Sequence, residues 1–362
     1  MTYRFKVCEL VSGKVLDEVP FDIEGDLTRY LQQYGEGTLS LPLFDTYGDL
    51  VLETWEQAIL PWRSLILVVD EQDRILWHGI PQDRPRTLAP QTRYPCRTIE
   101  AYLIRRYVPS KVFKGADQTS EIFRWLAGVA GGAIGLEYDC PPSGILRDRE
   151  YKDADNGRVY DRINELAAVE NGFSWTVDIA WGDDAHTFVR KIARTGYPYL
   201  GNRTENPVHV FELGQNIDDF EYSEPWGEGD AATHFQGIGE TDDDDQRLLS
   251  APVIDTVREA AGWPRLEERR TFAGVSKRLT LDSHSRRTAA QLFGGQHVLT
   301  LEARNPGDDE DFTAVGDLSL GDTAKAIIHC PTLDLEETWP IVGWILTPGT
   351  GAYKPVLAKI GD

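Results

Sequence analysis

Apolar and polar positions alternate from the start of the chain. Tyr3, Phe5 and Val7 interleave with Arg4, Lys6 and Cys8, a period of two that predicts a strand. Ser12-Gly13 marks a turn, and residues 14–19 return as the second arm of a hairpin. The period then changes. Asp26 is placed to cap a short helix with Leu27, Tyr30, Leu31 and Tyr34 on one face and Gly35 as its stop. Strand character resumes over 38–43. A continuous apolar, β-branched run, Ser64 to Val69, is followed by the polar stretch 70–74 and a second apolar run, Ile75 to Ile80. This is strand, turn, strand. Residues 92–99 predict another strand, and 102–107 a short helix leaving that sheet.

Helical spacing takes over next. Thr119 or Ser120 caps a helix whose apolar face is Ile122, Trp125, Leu126 and Val129. A second helix, 158–170, carries Val159, Ile163, Leu166 and Ala167, and Asn171-Gly172 ends it as a left-handed cap would. Residues 173–179 alternate as a strand, Gly182-Asp183-Asp184 turns, and 187–192 returns. Strands are then predicted over 208–213, 217–223 and 233–238, helices over 253–261 and 286–293, and strands over 298–303, 324–328, 339–346 and 353–360. Asp242-Asp243-Asp244-Asp245 is the strongest boundary signal. No repeat of 20–50 residues is visible, which excludes a solenoid or propeller. The chain therefore reads as β-rich α+β: two antiparallel β-barrel or sandwich domains, a helix-plus-hairpin insert and a short helical connector.

Charge narrows the class. The 37 Lys and Arg against 59 Asp and Glu leave 362 residues with a net charge of −22. Gripping nucleic acid or an anionic membrane needs clustered cations, so neither is expected as a bound partner. Ten Trp, 14 Tyr and 13 Phe exclude an acidic disordered chain. No run approaches the ~20 apolar residues of a membrane span, so no stable insertion is expected. The N-terminal Met1 to Lys6 has no apolar signal core, so Sec export is not expected. Cys8, Cys96, Cys140 and Cys330 are far apart and form no C-x-x-C, and are expected as small buried hydrophobes rather than disulfides.

Catalytic signatures are missing. There is no H-E-x-x-H, G-x-S-x-G or G-x-x-x-x-G-K-[ST]. The glycines of 128–135 follow a helix instead of a strand and fit a tight helix-to-loop crossing. Residues 242–245 and the acidic run Asp308-Asp309-Glu310-Asp311 lack the spacing of a calcium loop and read as solvated linkers. Phe220 to Trp226 places Glu221 and Glu224 among aromatics, the residue types of a glycosidase site. With 59 acids such proximity is expected without function. The seven histidines show no ligand spacing, and His186 and His329 read as ordinary strand residues. Asn202-Arg203-Thr204 matches a glycosylation pattern that has no use without export. No catalytic, cofactor-binding or metal-binding residue is assigned, and no cofactor is expected.

The order of elements carries a resemblance. A β-rich start with Phe21 to Leu43 leads to an insert closing in Asp161 to Leu166 and Glu170-Asn171-Gly172-Phe173-Ser174-Trp175. The chain returns through Asn216 to Ser223 and Ala232 to Gly239, and a second β region follows. This resembles the minor tail proteins of long-tailed actinobacterial phages, in the baseplate-hub or tail-tip-hub family. The resemblance implies a non-enzymatic homotrimer at the distal end of the virion tail. Each subunit would supply two similar β-barrels, so that three make a pseudo-sixfold ring. The implied division is 1–107 plus 205–241 as a discontinuous first barrel, 108–204 as the α+β insert, 242–295 as acidic linker and helical connector, and 296–362 as the second barrel. Implied partners are the distal tail ring protein, the tape-measure protein and tail fibre or tip proteins, with roles in host attachment and DNA ejection. DNA would pass without specific binding. Three chains would carry −66, and some of those acids are expected to line the channel. Exposed aromatics such as Trp181 are candidates for the interfaces. Relatives carrying a lytic domain have it after the hub, where this sequence stops. The alternative is a carbohydrate-active tail protein that binds or hydrolyses cell-wall glycan.

Overall fold

The computed structural model describes residues 3–44, 47, 49, 59–86, 89, 91–241, 246–272, 275–304, 314–347 and 353–360. The acidic runs 242–245 and 308–311 lie outside them. The first part of the chain forms β1 (Arg4–Glu9), β2 (Val15–Glu18), β3 (Asp22–Glu24), β4 (Leu27–Tyr30), β5 (Glu36–Pro42), β6 (Ser64–Val69), β7 (Ile75–Pro81) and β8 (Gln91–Arg97). A short 3-10 helix, Ile99–Arg105, follows. The insert contains β9 (Lys111–Asp117), α1 (Arg124–Gly131), β10 (Leu136–Asp139), β11 (Leu146–Tyr151), α2 (Val159–Ala167), β12 (Ser174–Trp181) and β13 (Val189–Gly196). Beyond it come β14 (His209–Glu212), β15 (Ile217–Ser223), β16 (His234–Thr241), β17 (Arg247–Leu249), β18 (Val253–Ile254), α3 (Thr256–Ala260), β19 (Glu267–Thr271) and α4 (Arg278–Leu292). The chain closes with β20 (Gln296–Ala303), β21 (Thr323–Cys330), β22 (Leu333–Leu346) and β23 (Tyr353–Ile360). The fold is β-rich α+β, as expected. No helix among the described residues is long and apolar enough to cross a membrane.

Two seven-stranded sheets dominate. The N-terminal one has the order β2-β1-β6-β7-β8-β5-β3. The C-terminal one runs β14-β21-β22-β23-β20-β15, with β4 added on β22. Their inner faces share one core: Phe5, Val7, Ile66, Val68 and Trp77 from the first sheet meet Leu299, Leu301, Ile328, Trp339 and Trp344 from the second. The outer face of the first sheet, with Cys8, Leu65, Leu67 and Val69, belongs to a second core shared with the insert. All six residues of β6 are buried, and its five apolar ones, Leu65 to Val69, lie alternately in one core and the other. A strand covered on both faces needs no polar positions, and this is the physical reason for the unbroken apolar run. Each of those side chains contributes about 1.5–3 kcal/mol by leaving water.

The helix expected from Asp26 to Gly35 is a strand instead. β22 is 14 residues long, and β21 pairs only with its first part, Leu333 to Pro340. Beyond that its edge is open, and β4 pairs there with Tyr30 opposite Gly343 and Leu27 opposite Leu346. Satisfying that row of backbone groups outweighs a weak helical pattern. The approach is close: a Cβ on Gly343 would lie 2.6 Å from the Arg29 carbonyl oxygen, so only glycine fits.

Residues 205–241 do not rejoin the N-terminal sheet. β14 pairs in parallel with β21, and β15 pairs antiparallel with β20, so both complete the C-terminal sheet. β20 turns Leu299, Leu301 and Ala303 into the shared core and would otherwise carry an open edge there. β16 goes elsewhere again, into a small sheet with β17, β18 and β19. That sheet packs against α4 through Phe235, Ala289 and Leu292. α4 starts eight residues before the expected 286, because in its first two turns Leu281 is the one buried apolar residue and gives no apolar period. Residues 253–254 pair as β18, which shortens the expected helix over 253–261 to 256–260, capped by Asp255.

In the insert, β12 and β13 form the expected hairpin, with β10 parallel to β13. The cap of the first helical segment is Asp117, two residues before the expected Thr119. Its Oδ1 accepts from the Thr119 and Ser120 amides at 3.0 and 2.9 Å. α2 ends at Ala167, three residues before the expected 170, with Ala168 as its cap; Asn171 is left-handed, φ 54°, in the turn beyond it. All four cysteines are free thiols, and Cys8 and Cys96 are buried.

Candidate functional site

The three large parts of the molecule meet at Arg29. β4 carries this residue between β22 and the insert hairpin, and only 7% of it is exposed. Its Nη2 donates to the Val177 carbonyl at 3.2 Å and to Asp178 Oδ1 at 2.5 Å. Its guanidinium lies over the Trp344 ring at 5.3 Å. Asp178 Oδ2 accepts from Arg194 Nη1 at 3.0 Å, and Arg194 Nε donates to Asp139 Oδ2 at 3.2 Å. The charges thus alternate, Arg29, Asp178, Arg194, Asp139, and each cation is held by a carboxylate. They line a crevice of about 600 Å³ whose opposite wall is Leu200, Gly201, Leu320 and Asp322.

Behind Arg29 sit two more buried ionisable groups. Glu100 accepts from the Val177 amide at 3.1 Å. Burial raises its carboxyl pKa against the opposing pull of Arg29. Burial first, and the Arg29 charge second, hold His78 neutral. Neither ring nitrogen of His78 has a partner. This arrangement fixes one unit on another.

Trp181, a candidate for an interface or for a role within the fold, serves inside the chain. Its Nε1 donates to the Asp73 carbonyl at 2.6 Å, and its ring stacks on His186 at 4.4 Å. The tip of the insert hairpin is thereby pinned to the β6–β7 turn. The same turn is tied to the C-terminal part by Arg74, which donates to Asp70 Oδ2 at 2.7 Å and Asp317 Oδ1 at 2.6 Å.

A different aromatic pair faces outward. Trp226 and Trp263 pack with ring centroids 4.4 Å apart, and the Arg258 guanidinium lies 5.4 and 5.8 Å from the two rings. Val257 beside them is 77% exposed. Trp and Arg are the residue types that anchor protein interfaces. Trp263 escaped the sequence reading. The usable signal was its setting: Pro225-Trp226-Gly227 and Gly262-Trp263-Pro264 put each indole in a turn, where no strand or helix period asks for one.

The aromatic-acid segment packs against the C-terminal sheet. Tyr222 Oη donates to Glu224 Oε1 at 2.8 Å and lies 2.7 Å from His297 Nδ1. Its ring packs toward Trp339, centroids 6.2 Å apart. Glu221 and Glu224 are both exposed. His329 Nδ1 lies 2.6 Å from Asp334 Oδ1 across the β21–β22 hairpin. Among the described residues no group of three or more His, Cys, Asp or Glu side chains converges as a metal site would.

Against solved structures, the chain is similar to the 43 kDa tail protein of prophage MuSo2 from Shewanella oneidensis, with TM-score 0.64, 12% identity, and 99% of this chain and 98% of that one covered. It is similar to a tail protein from Neisseria meningitidis MC58, with TM-score 0.57, 12% identity, and coverage of 99% and 97%. The prophage tail protein gp18 from Listeria monocytogenes EGD-e follows, with TM-score 0.50, 13% identity, and coverage of 98% and 94%. At such identities the likeness is one of fold. No protein-family model matches the chain, and no curated protein matches it. The chain thus has, from end to end, the fold of these tail proteins.

Proposed function

We propose that this chain is a structural, non-enzymatic hub subunit at the distal tip or baseplate of a phage tail, of the kind found in long-tailed actinobacterial phages. The observation that carries this reading is the end-to-end match of fold with prophage tail proteins, which leaves almost no part of either chain unaccounted for. In this reading the two seven-stranded sheets are the two hub elements of each subunit. Three subunits form a ring with pseudo-sixfold symmetry, and residues 108–204 form the insert. Residues 242–295 act as connector. The ring binds the distal tail ring and tape-measure proteins on one face and fibre or tip proteins on the other. DNA passes through it during ejection, and acids lining the channel keep it from being gripped.

The test is mass and place. Light scattering of the purified chain should give three times 40.7 kDa. Should it give a monomer at every concentration, the decisive measurement is an electron-microscopy reconstruction of assembled tails. A ring of three copies at the tip is expected; the chain elsewhere, or missing from the particle, overturns the reading. A neutral or basic channel wall in that ring would remove the DNA-passage part alone.

A further inference from the structure

A second crevice, of about 590 Å³, opens between the insert and the small β16 sheet. β11 and α2 form one side, and α4 and β19 the other. Its floor is apolar, with Tyr151, Leu166, Val169, Phe272 and Val275. Ser283 of α4 donates to Glu170 beside it, which ties the two sides together. The volume fits two or three side chains and lies within the ordinary range for binding sites.

Two polar groups in its wall have no partner among the described residues. Arg149 is partly buried, and among the described residues no acceptor or carboxylate pairs with its guanidinium. His284 on α4 is 4% exposed, and neither ring nitrogen is hydrogen-bonded. Its ring stacks on Phe272 with centroids 5.5 Å apart. Four acids line the crevice, and each is engaged: Arg162 holds Glu165 at 2.7 Å and Asp155 at 3.9 Å, Lys152 holds Glu150 at 4.0 Å, and Glu240 has its own partner. Burial pulls Arg149 below its usual range. Burial, then the charges of Arg149 and Arg147, lowers the His284 pKa to about 4. His284 is therefore neutral near pH 7 and offers one N–H. An unmatched cation and an unused donor, both partly withdrawn from water, are costly unless something supplies an acceptor.

We propose that this crevice docks an acidic peptide segment of another protein: a carboxylate pairs with Arg149 and accepts from His284, and an adjacent apolar side chain fills the floor at Tyr151, Val169 and Phe272. A guanidinium pairs a carboxylate in two parallel hydrogen bonds, which fixes the orientation of the segment. An inorganic anion would use the polar wall and leave the apolar floor empty. This site does not depend on the tail-hub reading, and the ring measurements above do not bear on it.

The experiment titrates the full chain, by ligand-observed NMR, with two blocked dipeptides of nearly equal shape: N-acetyl-Phe-Glu-amide and N-acetyl-Phe-Gln-amide. The Glu peptide should bind about tenfold more tightly than the Gln peptide, the effect of one charge-assisted pair. Arg149→Gln should abolish that preference, and His284→Phe, which keeps the stack on Phe272, should weaken the Glu peptide alone. Equal binding of the two peptides to the wild-type chain, failure of the Glu peptide to bind at ~10 mM, or a preference surviving in Arg149→Gln would overturn the proposal. The comparison of the two peptides on the wild-type chain decides even if a variant fails to fold.

Discussion

Arg29 and Arg149 each carry a guanidinium into the space between the insert and a neighbouring unit. Arg29 finds Asp178, the Val177 carbonyl and the Trp344 ring. Arg149 finds no acceptor among the described residues. The histidines beside them, His78 and His284, are both buried and both held neutral, chiefly by burial. The difference lies in what surrounds the cation. At the first place carboxylates and cations alternate through four residues, so the contact is closed and holds the molecule together. At the second the lining carboxylates are engaged by Arg162, Lys152 and other groups, so Arg149 stays open for something from outside. A cluster whose charges neutralise one another is architecture, even with Arg29 Nε, Glu100 Oε2 and both His78 nitrogens unpartnered among the described residues; an unmatched cation in a crevice has the chemistry of a binding site.

The contrast can be broken most forcefully at Arg29. Arg29→Ala leaves Asp178 half-paired and Trp344 uncovered, and should cost about 3–5 kcal/mol in urea unfolding, the usual penalty for opening a buried pair. A loss near that of an ordinary surface substitution would remove the distinction between the two sites. Next comes pH. The folded-state pKa of His284 is lowered to about 4 while the unfolded ring keeps its ordinary ~6.5. The unfolded chain then binds the extra proton between those values, so stability should fall as pH drops from ~6.5 toward 4, by at most about 1.4 kcal/mol per unit. His284→Phe should flatten that part of the urea-midpoint profile. Arg149→Met should raise stability by about 1 kcal/mol, since it deletes an unmatched charge and keeps the side-chain stem. Destabilisation there would mean that the guanidinium is already satisfied in the folded chain. The smallest expected effect is at Asp117, whose carboxylate accepts at short range from Thr119, Ser120, Ser143 and Gly144. Burial opposes ionisation, but these hydrogen bonds win and hold its pKa well below the usual range. Asp117→Asn keeps a capping oxygen and loses only the charge, which should cost about 0.3–1 kcal/mol. That loss should vanish in acid, because the stability from a depressed carboxylate disappears as pH falls through its folded pKa.

Much of the architecture was legible along the chain. The β6–β7 hairpin, the β12–β13 hairpin and the C-terminal strands stand where their periods place them. What escaped was set by partners remote in sequence. β4 reads as a helix face until β22 offers it an edge more than 300 residues later. The destination of 209–223 depended on which sheet had an open strand. The crevice was hidden for the same reason. Arg147-Asp148-Arg149-Glu150 looks like a solvated strand edge, and only the fold brings α4, with His284, across from it.

β22 has a mechanical meaning. It is one unbroken strand held laterally by β21 over its first part and by β4 and β23 over its second. A tug that tried to draw the N-terminal sheet away from the C-terminal one along β22 would strain the four residue pairs of β4 on β22 together, in shear, and could not peel them one by one. The two sheets should therefore bear force as a single rigid body, and under tension the first segment to rip free should be one outside this clamp, such as the small β16 sheet with its slight core.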